Sequence, residues 1–158
     1  MDNFEKEKTY TLPTYGKFQF ALVKGEGCYV EDDSGNRYLD LYGGHAVSIL
    51  GHSHPTWVKA ITDQLGQLDF YSNVCYHPER AAAAELLVTR SYESMRGVFF
   101  CNSGAEANET ALKLARKLTG RPGIVAMNGG FHGRTTGALS VTASEKLRGM
   151  FKENLDAY

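Results

Sequence analysis

The feature that most constrains this chain is a unit that occurs twice in its second half. A short, wholly apolar run is followed by glycines and then by a helical pattern. Val98-Phe99-Phe100-Cys101 leads through Ser103-Gly104 into a helix-like stretch over 105–118, stopped by Thr119-Gly120. Ile124-Val125-Ala126-Met127 leads through Gly129, Gly130 and Gly133 into a second over 134–141. Apolar runs without polar alternation suit strands covered on both faces, and strands alternating with helices predict a parallel α/β sheet. Ligands of such sheets sit at the carboxyl ends of the strands. Two parallel strands bury themselves poorly, so the expected fold is α/β with an incomplete, mostly parallel sheet and flanking helices.

The first half reads differently. Residues 1–17 show no period and read as irregular. Runs at 18–23, 28–30 and 37–42 read as strands, and Asp33-Ser34-Gly35-Asn36 joins the last two in a small β-hairpin, because those residues tolerate positive φ. Pro55 and Pro78 each suit a first helical turn. Behind Pro55, the residues Trp57, Val58, Ile61, Leu65 and Leu68 recur at helical spacing.

Composition excludes several classes of function. Lys+Arg is 17 against Asp+Glu 18, a net charge of −1, so no cationic excess exists to neutralise a nucleic acid. No apolar run approaches the ~18 residues of a membrane span, and the charged start Asp2-Asn3-Phe4-Glu5-Lys6 has no signal-peptide apolar region. Neither nucleic acid nor membrane is expected as a partner. Three cysteines without a C-x-x-C pair fit free thiols in a reducing, cytoplasmic setting. The 17 glycines exceed the usual ~7% and gather at element junctions, where backbone comes close to backbone or ligand.

Three places carry candidate chemistry. Asn102-Ser103-Gly104-Ala105-Glu106 opens the 105–118 helix. Its first amides form an anion site, with Ser103 adding a hydroxyl and Gly104 giving close access. The same residues fit the S-x-x-E capping box, and the two readings are compatible. Asn128-Gly129-Gly130-Phe131-His132-Gly133-Arg134-Thr135 brings a ring, an imidazole and a guanidinium onto one loop. Phe131 suits stacking on a flat cofactor and Arg134 a bidentate carboxylate contact, against the plainer reading of a mobile surface loop. The spacing is not that of a P-loop. His52-Ser53-His54 has no third ligand at metal-site spacing, so a structural or hydrogen-bonding role is the better reading and no metal site is expected.

Taken together, further stretches resemble the class III pyridoxal-phosphate-dependent aminotransferases, most closely the acetylornithine/ornithine group. They are Gly25-Glu26-Gly27-x-Tyr29-Val30-x-Asp32, Tyr38-Leu39-Asp40, Gly51-His52-x-His54-Pro55, Ser72-Asn73-Val74, the block from Asn102 through Ser103-Gly104-Ala105-Glu106-Ala107-Asn108-Glu109 to Arg116, and Phe131-His132-Gly133-Arg134-Thr135. The resemblance implies the amino-terminal part of a fold-type-I transferase. Residues 1–48 would join the small domain, and 49–158 would be the first part of the large cofactor domain. It implies pyridoxal 5'-phosphate held by Ser103, Gly104, Ala105, Phe131 and His132, with Arg134 and Tyr15 on the substrate. The Gly43–His45 stretch resembles a pocket-lining loop, where His45 departs from the small or aliphatic residue of the family.

The implied reaction moves the terminal amino group of N-acetylornithine, ornithine or N-succinylornithine to 2-oxoglutarate, a 2-oxo acid, in arginine biosynthesis by a homodimer. The family's Schiff-base lysine matches no motif here. These 158 residues are therefore expected to hold no catalytic residue and to be inactive alone. The rival expectation is a non-catalytic, phosphate- or carboxylate-binding α/β fragment with a regulatory or partner-binding role.

Overall fold

The computed structural model describes residues 2–155. The chain divides between Cys75 and Tyr76 into two compact units.

The first unit opens with α1 (Asn3–Tyr10), in a stretch expected to be irregular. Its start is a capping box: the Glu5 amide donates to Asp2 Oδ1 at 2.7 Å, and the Asp2 amide to Glu5 Oε2 at 3.1 Å. No residue of α1 is buried, which explains why no apolar stripe announced it. Three strands follow as an antiparallel meander, β1 (Leu22–Glu26), β2 (Tyr29–Asp32) and β3 (Arg37–Leu39). The expected 28–30/37–42 hairpin is β2–β3, with Tyr29 opposite Leu39 and Val30 opposite Tyr38. Its turn is organised by Asp32, whose carboxylate accepts from the Ser34 and Asn36 amides, the Asn36 side chain and the Tyr38 hydroxyl.

Two strand expectations are shortened. The 18–23 run joins the sheet only from Leu22, and Phe18 and Phe20 instead stack in line with Tyr38. β3 ends at Leu39 because the Asp40 carboxylate takes the Tyr42 and Gly43 amides. The next four residues, α2 (Gly43–Ala46), form a turn of left-handed backbone: φ is 55° at Gly43, 58° at Gly44, 63° at His45 and 60° at Ala46. The chain then returns to the sheet. Gly27 and His52 form an antiparallel bridge, and a Cβ on Gly51 would lie 3.0 Å from the Gly27 carbonyl oxygen. The unit's long helix, α3 (Pro55–Leu65), starts at its proline as expected.

The second unit begins with α4 (Pro78–Arg90), also started by its proline. α5 (Gly104–Thr119) ends on Gly120 at φ 67°, a left-handed cap that glycine adopts without strain. The short helices α6 (Thr136–Ser140), α7 (Glu145–Arg148) and α8 (Lys152–Leu155) close it, with a 3-10 turn at Gly149–Phe151. The expected helix over 134–141 is thus confined to α6.

The class is a partial α/β fold, with one correction. The 98–101 and 124–127 runs pair neither with each other nor with any strand among the described residues. A strand exists only through a neighbour's hydrogen bonds, and neither run has such a neighbour here. The small core lies around α6: Ala138 and Leu139 are buried there, with Leu155 of α8 and the fully buried Thr142. Among the described residues, no helix is long and apolar enough to cross a membrane.

Candidate functional site

The site starts at the first turn of α5. Ser103 is the N-cap, with extended backbone. Its Oγ accepts from the Glu106 amide at 3.2 Å, while Glu106 Oε2 accepts from the Asn102 and Ser103 amides at 2.6 and 3.0 Å. This capping box satisfies the third helical amide and leaves the first two, of Gly104 and Ala105, without an intrahelical acceptor. A Cβ on Gly104 would meet nothing within 4 Å, and Ser103, Gly104 and Ala105 all line an open cleft. The Ser103 hydroxyl accepts its cap bond through a lone pair and keeps a proton to donate. Cap and anion cradle therefore coexist.

The loop after the 124–127 run folds onto the same helix. Three α5 residues at i, i+3 and i+4 spacing hold it. Gly133, at φ 133°, rests against Ala105, where a Cβ would come within 2.8 Å of the Ala105 Cβ. Asn108 Nδ2 donates to the His132 carbonyl at 2.6 Å. Glu109 Oε1 accepts from the Gly137 and Ala138 amides at 2.8 and 3.2 Å. The Thr135 hydroxyl also bonds Glu109 and is the largest cause holding its carboxyl below the usual range, aided by those two amides and by Lys113 against the effect of burial. From behind, Thr142 Oγ1 accepts from the His132 amide at 3.0 Å and lies 2.9 Å from the Ala138 carbonyl oxygen. A Cβ on Gly130 would lie 2.9 Å from His132 Nε2, so the imidazole packs on that glycine.

Between helix start and loop lies a cleft of about 540 Å³. It gathers Ser103, Gly104, Ala105, Phe131, His132 and Arg134, every cofactor and carboxylate candidate of the second unit. The Phe131 ring is 61% exposed. Tyr15 belongs to the first unit, where it lines a separate cavity of about 490 Å³ with Phe4, Lys17 and Phe20. Sequence reasoning missed Asn108, Glu109 and Thr142 as supports of the loop. The spacing of Ala105, Asn108 and Glu109 on one helix face was the available signal.

Of the two histidines, His52 acts as a brace. His52 Nε2 lies 2.7 Å from Asp40 Oδ2, and the Ser53 hydroxyl donates to the Gly25 carbonyl at 2.8 Å. The His52 bond is the largest cause lowering the Asp40 carboxyl, with the Gly43 and Tyr42 amides behind it. His54 caps α3 through no side-chain bond, and its buried Nδ1 meets no hydrogen-bond partner among the described residues. Among the described residues, no group of three His, Cys, Asp or Glu side chains could hold a metal ion.

Comparison with known proteins places the chain in a family. An acetylornithine aminotransferase of Methanopyrus kandleri is 47% identical over 152 residues, covering 96% of this chain and 39% of that protein. The acetylornithine aminotransferase of Methanosarcina mazei is 48% identical over 147 residues, covering 93% and 37%. The chain thus spans about two fifths of the length of the curated relatives it matches. Among solved structures, an omega transaminase of Pseudomonas jessenii in complex with PMP superposes with a TM-score of 0.87 at 29% identity, over 96% of this chain and 37% of that one. A thermostable sixfold mutant of that transaminase gives the same TM-score and identity. The aminotransferase class-III family model matches residues 10–157, which takes in both the helix start and the loop of the cleft, and the chain belongs to that family.

Proposed function

We propose that these residues form the amino-terminal part of a pyridoxal-phosphate-dependent aminotransferase acting on N-acetylornithine or a close relative, ornithine or N-succinylornithine. The observation that carries the reading is the cleft itself. Two unengaged helix amides and a serine hydroxyl face open space, with an exposed aromatic ring and a guanidinium on the loop beside them. That donor set fits pyridoxal 5'-phosphate: a dianionic phosphate suits the positive end of α5, and a flat ring suits Phe131. When bound, the cofactor supplies an electron sink and a carrier for the amino group. The names of the relatives support the amino donor.

The chain's own residues then have distinct tasks. The Gly104 and Ala105 amides and the Ser103 hydroxyl hold the phosphate. Phe131 covers the ring face, and His132 shapes the ring's edge through its packing on Gly130. Arg134 pairs with a substrate carboxylate, and Tyr15 is read as a substrate-contacting residue. The same reading makes 2-oxoglutarate the acceptor, arginine biosynthesis the setting, the cytoplasm the place and a homodimer the assembly. It also assigns residues 1–48 to a segment that joins a small domain, and 49–158 to the start of the large one.

The test is Arg134→Lys in the full-length protein. A lysine ammonium cannot offer two parallel donors. Its loss of a charge-assisted pair costs roughly 2–4 kcal/mol, or about 30- to 1000-fold in kcat/KM for the amino donor. The Kd for pyridoxal phosphate is expected to stay within about threefold, since other residues hold it. A kcat/KM unchanged by the substitution removes Arg134 from the substrate site. Cofactor binding by the full-length protein without any transamination would favour the non-catalytic reading.

A further inference from the structure

We propose that Glu109 is a positioning residue that sets where Arg134 stands relative to the phosphate cradle. This rests on the reading of Arg134 as a carboxylate clamp and of the Gly104 and Ala105 amides as that cradle. Glu109 does not line the cleft, so it acts through what it holds.

The geometry is specific. The first amides of α6 need an outside acceptor, as at any helix start. Its N-cap residue, Thr135, makes no cap bond to its own helix. Glu109 takes the Gly137 and Ala138 amides, and a hydrogen bond with the Thr135 side chain helps keep its carboxyl ionised. The cap of α6 is thus supplied from α5, 28 residues back in sequence. A side chain at Gly137 would collide with the Glu109 carboxylate, which shows how closely the two elements meet.

On the other flank of Arg134, Gly133 sits on Ala105, and Asn108 holds the His132 carbonyl. Arg134 is therefore bracketed on both sides by one face of α5. The cradle amides belong to the same 16-residue helix. Cradle and clamp are referred to one rigid body, and Glu109 is its fixing point on the clamp side.

The experiment compares Glu109→Ala, Glu109→Gln and Glu109→Asp in the full-length protein. The readouts are the pyridoxal phosphate Kd of the apo-protein, the Kd of glutarate as a dicarboxylate probe, the kcat and KM for the donor, and the melting temperature. Gln keeps the reach and an acceptor oxygen for the Gly137 amide. Asp keeps the charge but is one methylene short. Glu109→Ala and Glu109→Asp are expected to weaken glutarate and raise the donor KM by roughly 10- to 100-fold, with the cofactor Kd within about threefold. Glu109→Gln is expected to stay near the parent.

Parallel loss of cofactor, glutarate and melting temperature in all three variants overturns the proposal, because it marks a purely structural residue. If Ala does not fold, the order of Gln and Asp decides: a weakened Gln beside an unaffected Asp overturns it. Glutarate binding that is kept in Glu109→Ala but lost in Arg134→Lys overturns the positioning role alone. Glutarate binding kept in Arg134→Lys overturns the clamp reading first.

Discussion

Asp32 shows how one carboxylate organises a turn. It is 3% exposed and takes four donors at 2.7–3.0 Å. The Tyr38 hydroxyl, first among the causes, and the Asn36 side chain lower its carboxyl from 3.8 to about 2, with the Asn36 and Ser34 amides adding and burial opposing. The folded value lies below the unfolded one, so the stabilisation is complete above the unfolded pKa and is lost as pH falls from about 4 through about 2. The gap in melting temperature between the parent and Asp32→Asn is expected to be flat above about pH 5 and to shrink below about pH 4. A gap that persists undiminished to pH 2 would contradict the assignment.

At the scale of elements, the start of α5 carries two duties that one pair of substitutions separates. Ser103→Ala removes the cap acceptor and costs about 1 kcal/mol of stability. Ser103→Asp keeps an acceptor for the Glu106 amide but puts a carboxylate beside the phosphate. Its melting temperature is expected to stay near the parent's, while the pyridoxal phosphate Kd rises about tenfold or more. Equal cofactor affinity in Ser103→Asp would mean that no phosphate sits over Gly104 and Ala105.

This element was legible because its signals are local. Ser103-x-x-Glu106, Pro55 and Pro78 mark helix starts without reference to the rest of the fold, and the helices begin there. α1 was missed although Asp2-x-x-Glu5 carries the same box, because no apolar face accompanies it. Ser103, Gly104, Phe131 and Arg134 were legible as a site because they cluster in two short segments. Asn108 and Glu109 were not, because what they bond lies 24 and 28 residues away. The left-handed turn at Gly43–Ala46 was half visible. Two glycines announce it, but nothing in His45 or Ala46 does.

At the scale of the molecule, far more large apolar side chains are exposed than buried among the described residues. The buried apolar side chains among the described residues are Ala138, Leu139 and Leu155, while Leu41, Ile49, Val74, Leu118 and Val125 are each more than 70% exposed. Exposed apolar side chains in such number favour association. Residues 1–158 expressed alone are expected to bind a hydrophobic dye, to sediment heavier than a monomer and to show no turnover of N-acetylornithine. A monodisperse monomer that unfolds cooperatively would count against this.

The Gly27–His52 bridge has a consequence for the cooperativity of the first unit. It ties off the chain between residues 27 and 52, and the cost of such a closure grows only with the logarithm of length. Once Tyr29 faces Leu39 in the hairpin, the open path shrinks to residues 39–52, about half as long, which saves about 0.6 kcal/mol. The saving is reciprocal, so the hairpin and the tie stabilise one another. By the same logarithm, a few extra residues in the 40–50 stretch would add little entropy. The constraint lies instead in the backwards-wound turn at Gly43–Ala46, where a residue inserted into the turn would have to match its hand.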